Sequence, residues 1–226
     1  MRIHIVSIFP EIFKGFIDTS IIHKAVCNKK IELNFYNPRY FCYDKHKQID
    51  DEIYGGGSGM LLKAKPVIDC TMDIINSIKT QNFKIIYFSP SKNIFDQENA
   101  IRFKNFEDLI LVCGRYEGID YRFEKYFMDN YPQKFEKLSL GKFILMGGEV
   151  ASMAFIEATT RLKEGVLGQQ DSLQEESYTP HKQMQNIEYP QYTRPQNVYG
   201  YNVPDELLSG NHSMIKKRRE DNERSI

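Results

Sequence analysis

No Cys-x-x-Cys pair occurs among the four cysteines, Cys27, Cys42, Cys70 and Cys113. That absence excludes the usual zinc-ligand spacing. With no secretory leader ahead of Ile3, the thiols are expected to lie buried in a reducing compartment. No apolar stretch approaches the ~20 residues of a membrane span, so a cytoplasmic protein with no membrane partner is expected. Surplus charge is missing as well: 30 Lys and Arg balance 30 Asp and Glu. Unspecific coating of nucleic acid is therefore disfavoured, because neutralising phosphates needs excess cations. Local clusters at Lys29-Lys30, at Lys45 with Lys47, and at Lys216-Lys217-Arg218-Arg219 stand as candidates for RNA contact or as solvated faces. Neither the fingerprint Gly-x-Gly-x-x-Gly nor a phosphate loop ending Gly-Lys-Ser/Thr is present. Gly55, Gly57 and Gly59 come nearest, but Met60 stands where a last glycine is required, which disfavours a nicotinamide oxidoreductase or an ATPase.

What is there suits a globular chain of 226 residues, 41% hydrophobic and 27% charged, long enough for one large domain and a small one. Short apolar runs at residues 2–9, 31–36, 84–89, 109–113 and 143–146 read as buried strands. Helical spacing links Val67, Ile68, Thr71, Met72, Ile75 and Ile78, with Pro66 near the start. Residues 95–106 and 119–128 read as further helices, with Asp96 and Asp120 near their N-termini, where the dipole favours negative charge. This alternation predicts an α/β fold with a parallel sheet flanked by helices. Residues 150–162 read as a helix carrying Ala151, Ser152, Ala154 and Ala158; it is either an ordinary interior helix or one that a partner approaches closely. From 163 to about 191 no period is sustained and the composition is that of a linker. Beyond it come a helix start at Pro204 and a charged tail from Lys216 to Arg224.

Asp50-Asp51-Glu52-Ile53-Tyr54-Gly55-Gly56-Gly57-Ser58-Gly59-Met60 brings carboxylates into four glycines within five positions. Such density lets backbone pass close to a ligand, although an exposed turn explains it equally well. Its companions are Gly114-Arg115-Tyr116-Glu117-Gly118, the run from Ser139 through Gly147-Gly148-Glu149, Arg161-Leu162-Lys163-Glu164-Gly165, Tyr192-Thr193-Arg194-Pro195 and Ser209-Gly210-Asn211-His212. In this order, over about residues 3–217, they resemble the bacterial tRNA (guanine-N1)-methyltransferases of the SPOUT class, which methylate guanosine-37 beside the anticodon.

The resemblance implies a SPOUT-type sheet ending in a trefoil knot, over 1–162, a linker over 163–177, and a small, mainly helical tRNA-binding domain over 178–226. It implies S-adenosylmethionine as cofactor, held by three loops: Tyr87, Phe88, Ser89 and Pro90; Gly114, Tyr116, Glu117 and Gly118; and Ser139, Leu140, Gly141, Lys142, Phe143, Ile144, Leu145, Gly147 and Gly148. Backbone groups beside glycines would read the adenine edge while the apolar residues surround the base. Methylation at N1 needs the N1 proton removed while charge builds on the ring and O6, so a carboxylate base and a cationic donor are the natural pair. By similarity these are Glu176 and Arg161, with Asp171 as the rival base. Glu117 is a second carboxylate, useful beside a sulfonium or a metal, or else a helix-start residue. Asp50, Tyr54, Gly57 and Gly59 match the loop that receives the guanine, joined by Arg194, Ser209, Asn211 and His212. Magnesium is implied, loosely held by a few carboxylates and the substrate, with ligands unassigned. The family is a homodimer whose linker completes the partner's site.

The chain departs from the family pattern in places. Glu176 stands where Asp is usual, Ile53 and Ser58 where proline is usual, and Lys142 where an aspartate is usual. Ser91-Lys92-Asn93 lacks the family's glycine-arginine, the stretch from Asp120 to Ser139 is longer, and the second domain ends early without tryptophan; weaker tRNA affinity is the expectation. Two other readings stay open: a SPOUT-type methyltransferase acting on a ribose hydroxyl, and a non-catalytic RNA-binding relative.

Overall fold

The computed structural model describes residues 1–168, 176–180 and 184–225. The chain divides into two compact units, Met1–Gly168 and Gln169–Ile226. Strands β1 (Arg2–Val6), β2 (Glu32–Tyr36), β5 (Phe83–Phe88), β6 (Asp108–Cys113) and β7 (Phe135–Leu138) form one sheet in the order β2-β1-β6-β5-β7. Every pairing in it is parallel. The run Asp-Leu-Ile-Leu-Val-Cys of β6 is buried throughout, as a strand covered on both faces requires. Because side chains alternate along a strand, Ile110 and Val112 enter one core with Ile85 and Tyr87, while Leu109, Leu111 and Cys113 enter the other with Ile86 and Phe88.

Helices cover both faces. α3 (Ala64–Ser77) buries Val67, Cys70, Thr71 and Ile74, a stripe at helical spacing, and packs with α5 (Arg122–Asn130) over the first core. α2 (Ser20–Cys27), α4 (Gln97–Phe103) and α6 (Glu149–Thr160) serve the second core, where Phe155 meets Phe88, Phe95 and Phe103 at ring separations of 5.7, 4.9 and 5.0 Å. Asp96 caps α4, its carboxylate accepting from the Asn99 N–H at 2.8 Å. Asp120 accepts from the Arg122 N–H at 2.9 Å at the start of α5. A short helix α1 (Lys14–Ile17) precedes α2. An antiparallel hairpin, β3 (Asp50–Glu52) and β4 (Met60–Leu62), carries the glycines at its tip.

The sequence expectations need correction in three places. Residues 143–146 are an exposed loop rather than a core strand: Phe143 is 55% exposed, Ile144 81% and Met146 88%. The fifth strand is instead β7, Phe-Glu-Lys-Leu, whose middle residues are charged. As an edge strand β7 carries charges in ion pairs, Glu136 with Arg102 at 2.7 Å and Lys137 with Glu124 at 2.8 Å, and so shows no apolar run. The thiols are not uniformly buried: Cys70 and Cys113 are, Cys42 is half-buried and Cys27 is exposed. Burial pushes the Cys70 thiol up to about 12.

In the second unit, α7 (Asp205–Leu208) and α8 (His212–Asn222) are joined by an Arg218–Glu206 ion pair at 3.1 Å. The charged tail is thus largely helical. Strand β8 (Asn186–Ile187) pairs with β11 (Arg224–Ser225), and β9 (Asn197–Val198) with β10 (Tyr201–Asn202). Buried Asn186 accepts from the Thr179 N–H at 2.8 Å and donates to the Glu176 carbonyl at 2.8 Å. No helix among the described residues is long and apolar enough to cross a membrane.

Candidate active site

Three adjacent strands, β6, β5 and β7, end on the same side of the parallel sheet, and the loop after each turns toward one cavity of about 400 Å³. Carboxyl ends of parallel strands are where α/β sheets bind ligands. Tyr87, Phe88, Ser89 and Pro90 reach it from the end of β5. Gly114, Tyr116, Glu117 and Gly118 come from the loop after β6, and Ser139, Leu140, Phe143, Ile144, Leu145, Gly147 and Gly148 from the loop after β7. All the residues expected to contact the cofactor therefore line one space, except two. Gly141 and Lys142 are not in the lining, and Lys142 is exposed.

The loops are locked to one another by backbone. The Gly148 N–H donates to the Gly114 carbonyl at 2.9 Å, and Arg115 bridges to Gly147. A Cβ on Gly148 would lie 2.7 Å from the Cys113 Cα, so this close approach admits only glycine. At Gly141 the obstacle is softer, the Phe143 ring at 2.7 Å. Ser139 holds that turn by donating its hydroxyl to the Gly141 carbonyl at 2.8 Å. The Tyr87 hydroxyl accepts from the Ile119 N–H at 3.3 Å, and burial pushes its phenol above the ordinary range.

Arg115, Leu138 and Ala151 also line the cavity, and sequence reasoning missed them. Arg115 sits inside the Gly-Arg-Tyr motif, which was its available signal. It pairs with Glu149, the buried first residue of α6, at 2.8 Å, and Ser7 donates to the same carboxylate at 2.7 Å. The Arg115 Nε–Glu149 Oε2 contact is close but poorly directed, and neither atom makes an aligned hydrogen bond. Its contribution is charge pairing in a dry setting, with the carboxylate further favoured at a helix N-terminus.

The hairpin meets this site at one edge. Gly55, Gly56, Gly57 and Gly59 all have positive φ, from +82° to +130°, which explains the glycines without any ligand. Leu62 donates to the Gly118 carbonyl at 3.0 Å and Asp120 to the Leu62 carbonyl at 2.9 Å, so β4 runs alongside the loop after β6. Asp50 is half-buried, opposite Leu62 in the hairpin, while Tyr54 is 96% exposed. On the hairpin's flank lies a larger cavity of about 960 Å³, lined by Tyr43, Tyr54, Lys63, Lys65, Arg122 and others. Size does not decide between them: the smaller one alone sits at the strand ends and gathers the glycine loops.

Arg161 follows α6 as its C-cap in the first unit. Glu176, the expected base, and the expected tRNA contacts Arg194, Ser209, Asn211 and His212 belong to the second. Asp171 lies outside the described residues. Arg194 is exposed; Asn211 caps α8 by accepting from the Ser213 and Met214 N–H groups at 3.1 and 3.3 Å; Ser209 accepts from the Asn211 N–H at 3.1 Å; His212 opens the helix, exposed. A cap accounts for the Ser-Gly-Asn turn structurally. Among the described residues no group of three or more His, Cys, Asp or Glu gathers in a way that could hold a metal.

A family model described as tRNA (Guanine-1)-methyltransferase TrmD matches residues 1–225. The tRNA (guanine-N(1)-)-methyltransferase of Dictyoglomus turgidum is 43% identical over 219 residues, covering 97% of this chain and 83% of the relative. Those of Malacoplasma penetrans and Clostridioides difficile are 41% and 40% identical, covering 98% of this chain and 91% and 92% of theirs. A match over essentially the whole length means that the chain belongs to the tRNA (guanine-1)-methyltransferase family.

Proposed function

We propose that the protein methylates N1 of guanosine-37 in tRNA, using S-adenosylmethionine. The observation that carries this reading is the convergence of the loops after β5, β6 and β7 on one strand-end cavity in a chain of this family. The cofactor fits what is there. The cavity's size, about 400 Å³, lies within the ~300–1,000 Å³ of small-ligand sites, a Cβ would press on the Tyr87 ring at Gly114 and on the Cys113 backbone at Gly148, and Leu140, Phe143, Ile144 and Leu145 offer apolar walls. When bound, the cofactor supplies an electrophilic methyl group on a sulfonium. Lys142, exposed and outside the lining, leaves its charge in solvent rather than against that sulfonium.

The chain's own work is then to hold guanine and manage its proton. Glu176 would accept the N1 proton and Arg161 would donate to O6, stabilising the charge that builds there, with the bound cofactor supplying the methyl group that N1 receives. Asp50, Tyr54, Gly57 and Gly59 form the receiving loop, and Arg194, Ser209, Asn211 and His212 contact the tRNA from the 178–226 domain. Residues 1–162 form the methyltransferase domain and 163–177 the linker. The knot is supported by the loop after β7 bridging to Ile94 at one end and Arg115 at the other. A homodimer with shared sites is supported by the exposed apolar residues Ile12, Ile144, Met146 and Val150. Any magnesium is held loosely with the substrate, and the protein works in the cytoplasm with tRNA.

The test is incubation of the purified protein with labelled cofactor and a tRNA transcript carrying guanosine-37, followed by nucleoside analysis. N1-methylguanosine at that position, lost when it is replaced by adenosine, is the expected result. A ribose-methylated product would move the protein to the other SPOUT chemistry, and cofactor binding without transfer would make it a non-catalytic relative.

A further inference from the structure

We infer that Glu117 is a positioning residue that fastens the guanine-receiving loop to the cofactor-lining loop, acting as a hydrogen-bond acceptor rather than as a charge for the chemistry. This rests on the functional reading above. Its carboxylate Oε2 accepts from the Met60 N–H at 2.7 Å, and the Glu117 N–H donates back to the Met60 carbonyl at 3.2 Å. The two residues are 57 positions apart in sequence, and the exchange joins two loops with separate duties. Glu117 also lines the strand-end cavity.

Gly59 shows how the contact is built. A Cβ there would lie 1.9 Å from both Cδ and Oε1 of Glu117, so the carboxylate occupies the space that a side chain at 59 would fill. At Gly55, Gly56 and Gly57 a Cβ would meet nothing within 4 Å, and glycine answers to backbone conformation alone. Gly59, with φ +96°, answers to both demands. The backbone bonds from Leu62 to Gly118 and from Asp120 to Leu62 already zip β4 to the cavity loop. The Glu117 side chain extends that zipper to Met60, the first residue after the glycine turn, in which Gly55, Gly56 and Gly57 have open space where a Cβ would lie.

Occupancy of the cavity and the shape of the receiving loop are thereby mechanically joined. The side chain is exposed, which limits the effect to about tenfold. Glutamine retains an acceptor oxygen at the same reach, whereas alanine removes it. Three forms separate the roles: the wild type, Glu117→Gln and Glu117→Ala. Amide hydrogen exchange at Met60 should speed up about tenfold in Glu117→Ala and much less in Glu117→Gln. With a tRNA transcript carrying guanosine-37, Glu117→Ala should raise KM for tRNA about tenfold, with Glu117→Gln recovering most of that loss and kcat changing less than KM in both.

Equal damage from both substitutions, concentrated in kcat, would show that the negative charge matters and overturn the inference. Unchanged Met60 exchange in Glu117→Ala would overturn it too, as would faster exchange with unaltered KM. If the wild type transfers no methyl group, the functional reading fails, while the exchange measurement still decides whether Glu117 fastens the loop.

Discussion

Gly148→Ala is the sharpest perturbation available to the proposed cofactor site. The added methyl would sit 2.7 Å from the Cys113 Cα, 3.2 Å from the Cys113 Cβ and 3.2 Å from the Gly114 nitrogen. An ordinary carbon–carbon contact is at least ~3.5 Å, so the two segments must part by roughly 0.8 Å. Neither can yield cheaply: Cys113 ends the central strand, and the Gly148 N–H is bonded to the Gly114 carbonyl at 2.9 Å. Overpacking of this kind costs about 1–3 kcal/mol. At ~1.4 kcal/mol per factor of ten, affinity for S-adenosylmethionine should fall about 5- to 150-fold, to the extent that the strain is expressed in the cavity walls. The part expressed globally should lower Tm by about 2–4 °C per kcal/mol. Gly141→Ala is the internal comparison, because there the nearest atom belongs to the Phe143 ring, itself largely exposed and free to turn aside. Titration calorimetry on both folded variants should show a clear affinity loss for Gly148→Ala and at most a threefold change for Gly141→Ala. A Gly148→Ala protein that stays folded and binds within twofold of wild type would refute the reasoning, since the loops would then not be held by that contact.

Glu176→Gln should lower turnover by about 10²–10⁴ while calorimetric affinity for the cofactor stays near wild type, if it is the general base; near-normal turnover would transfer the role to Asp171 or to water. Mixing Glu176→Gln chains with Gly148→Val chains under subunit exchange should restore about a quarter of wild-type activity per chain, since about half the dimers would be hybrids with one intact site; confirmed hybrids with no recovery would reject the shared site. Asp108 supplies a pH prediction. Burial raises its carboxyl, but the two Arg2 hydrogen bonds at 2.6 and 2.7 Å and the His4 contact at 2.9 Å outweigh this and hold it below the usual range. A depressed folded pKa stabilises the native state above the unfolded value and loses that contribution as pH falls below ~4. Urea midpoints for Asp108→Asn should therefore drop at pH 6, and the gap from wild type should narrow at pH 3; a constant gap would exclude this ion network as an acid-sensitive element.

Local pattern already carried the sheet's centre. The unbroken apolar run in β6 reads as a strand buried on both faces whatever its neighbours, and α3 declares itself through the spacing of its buried stripe. The same local logic misread residues 143–146, because an apolar run reports a need for contact without saying whether core, ligand or partner supplies it. It overlooked β7, whose two inner residues are satisfied by ion pairs from α4 and α5 rather than by burial in a core. The motif residues were legible as types: glycines with carboxylates at the ends of apolar runs, and an order that matches one family. Their meeting was not. The cavity exists because the strand order within the sheet, β2-β1-β6-β5-β7, sets three carboxyl ends side by side. Composition and periodicity determined that there would be a parallel sheet with loops at its strand ends. Tertiary structure decided that Glu117 would reach Met60 and Glu149 would meet Arg115. Short-range patterns follow from the backbone's own hydrogen-bond geometry, whereas contacts across tens of residues depend on how whole elements stack.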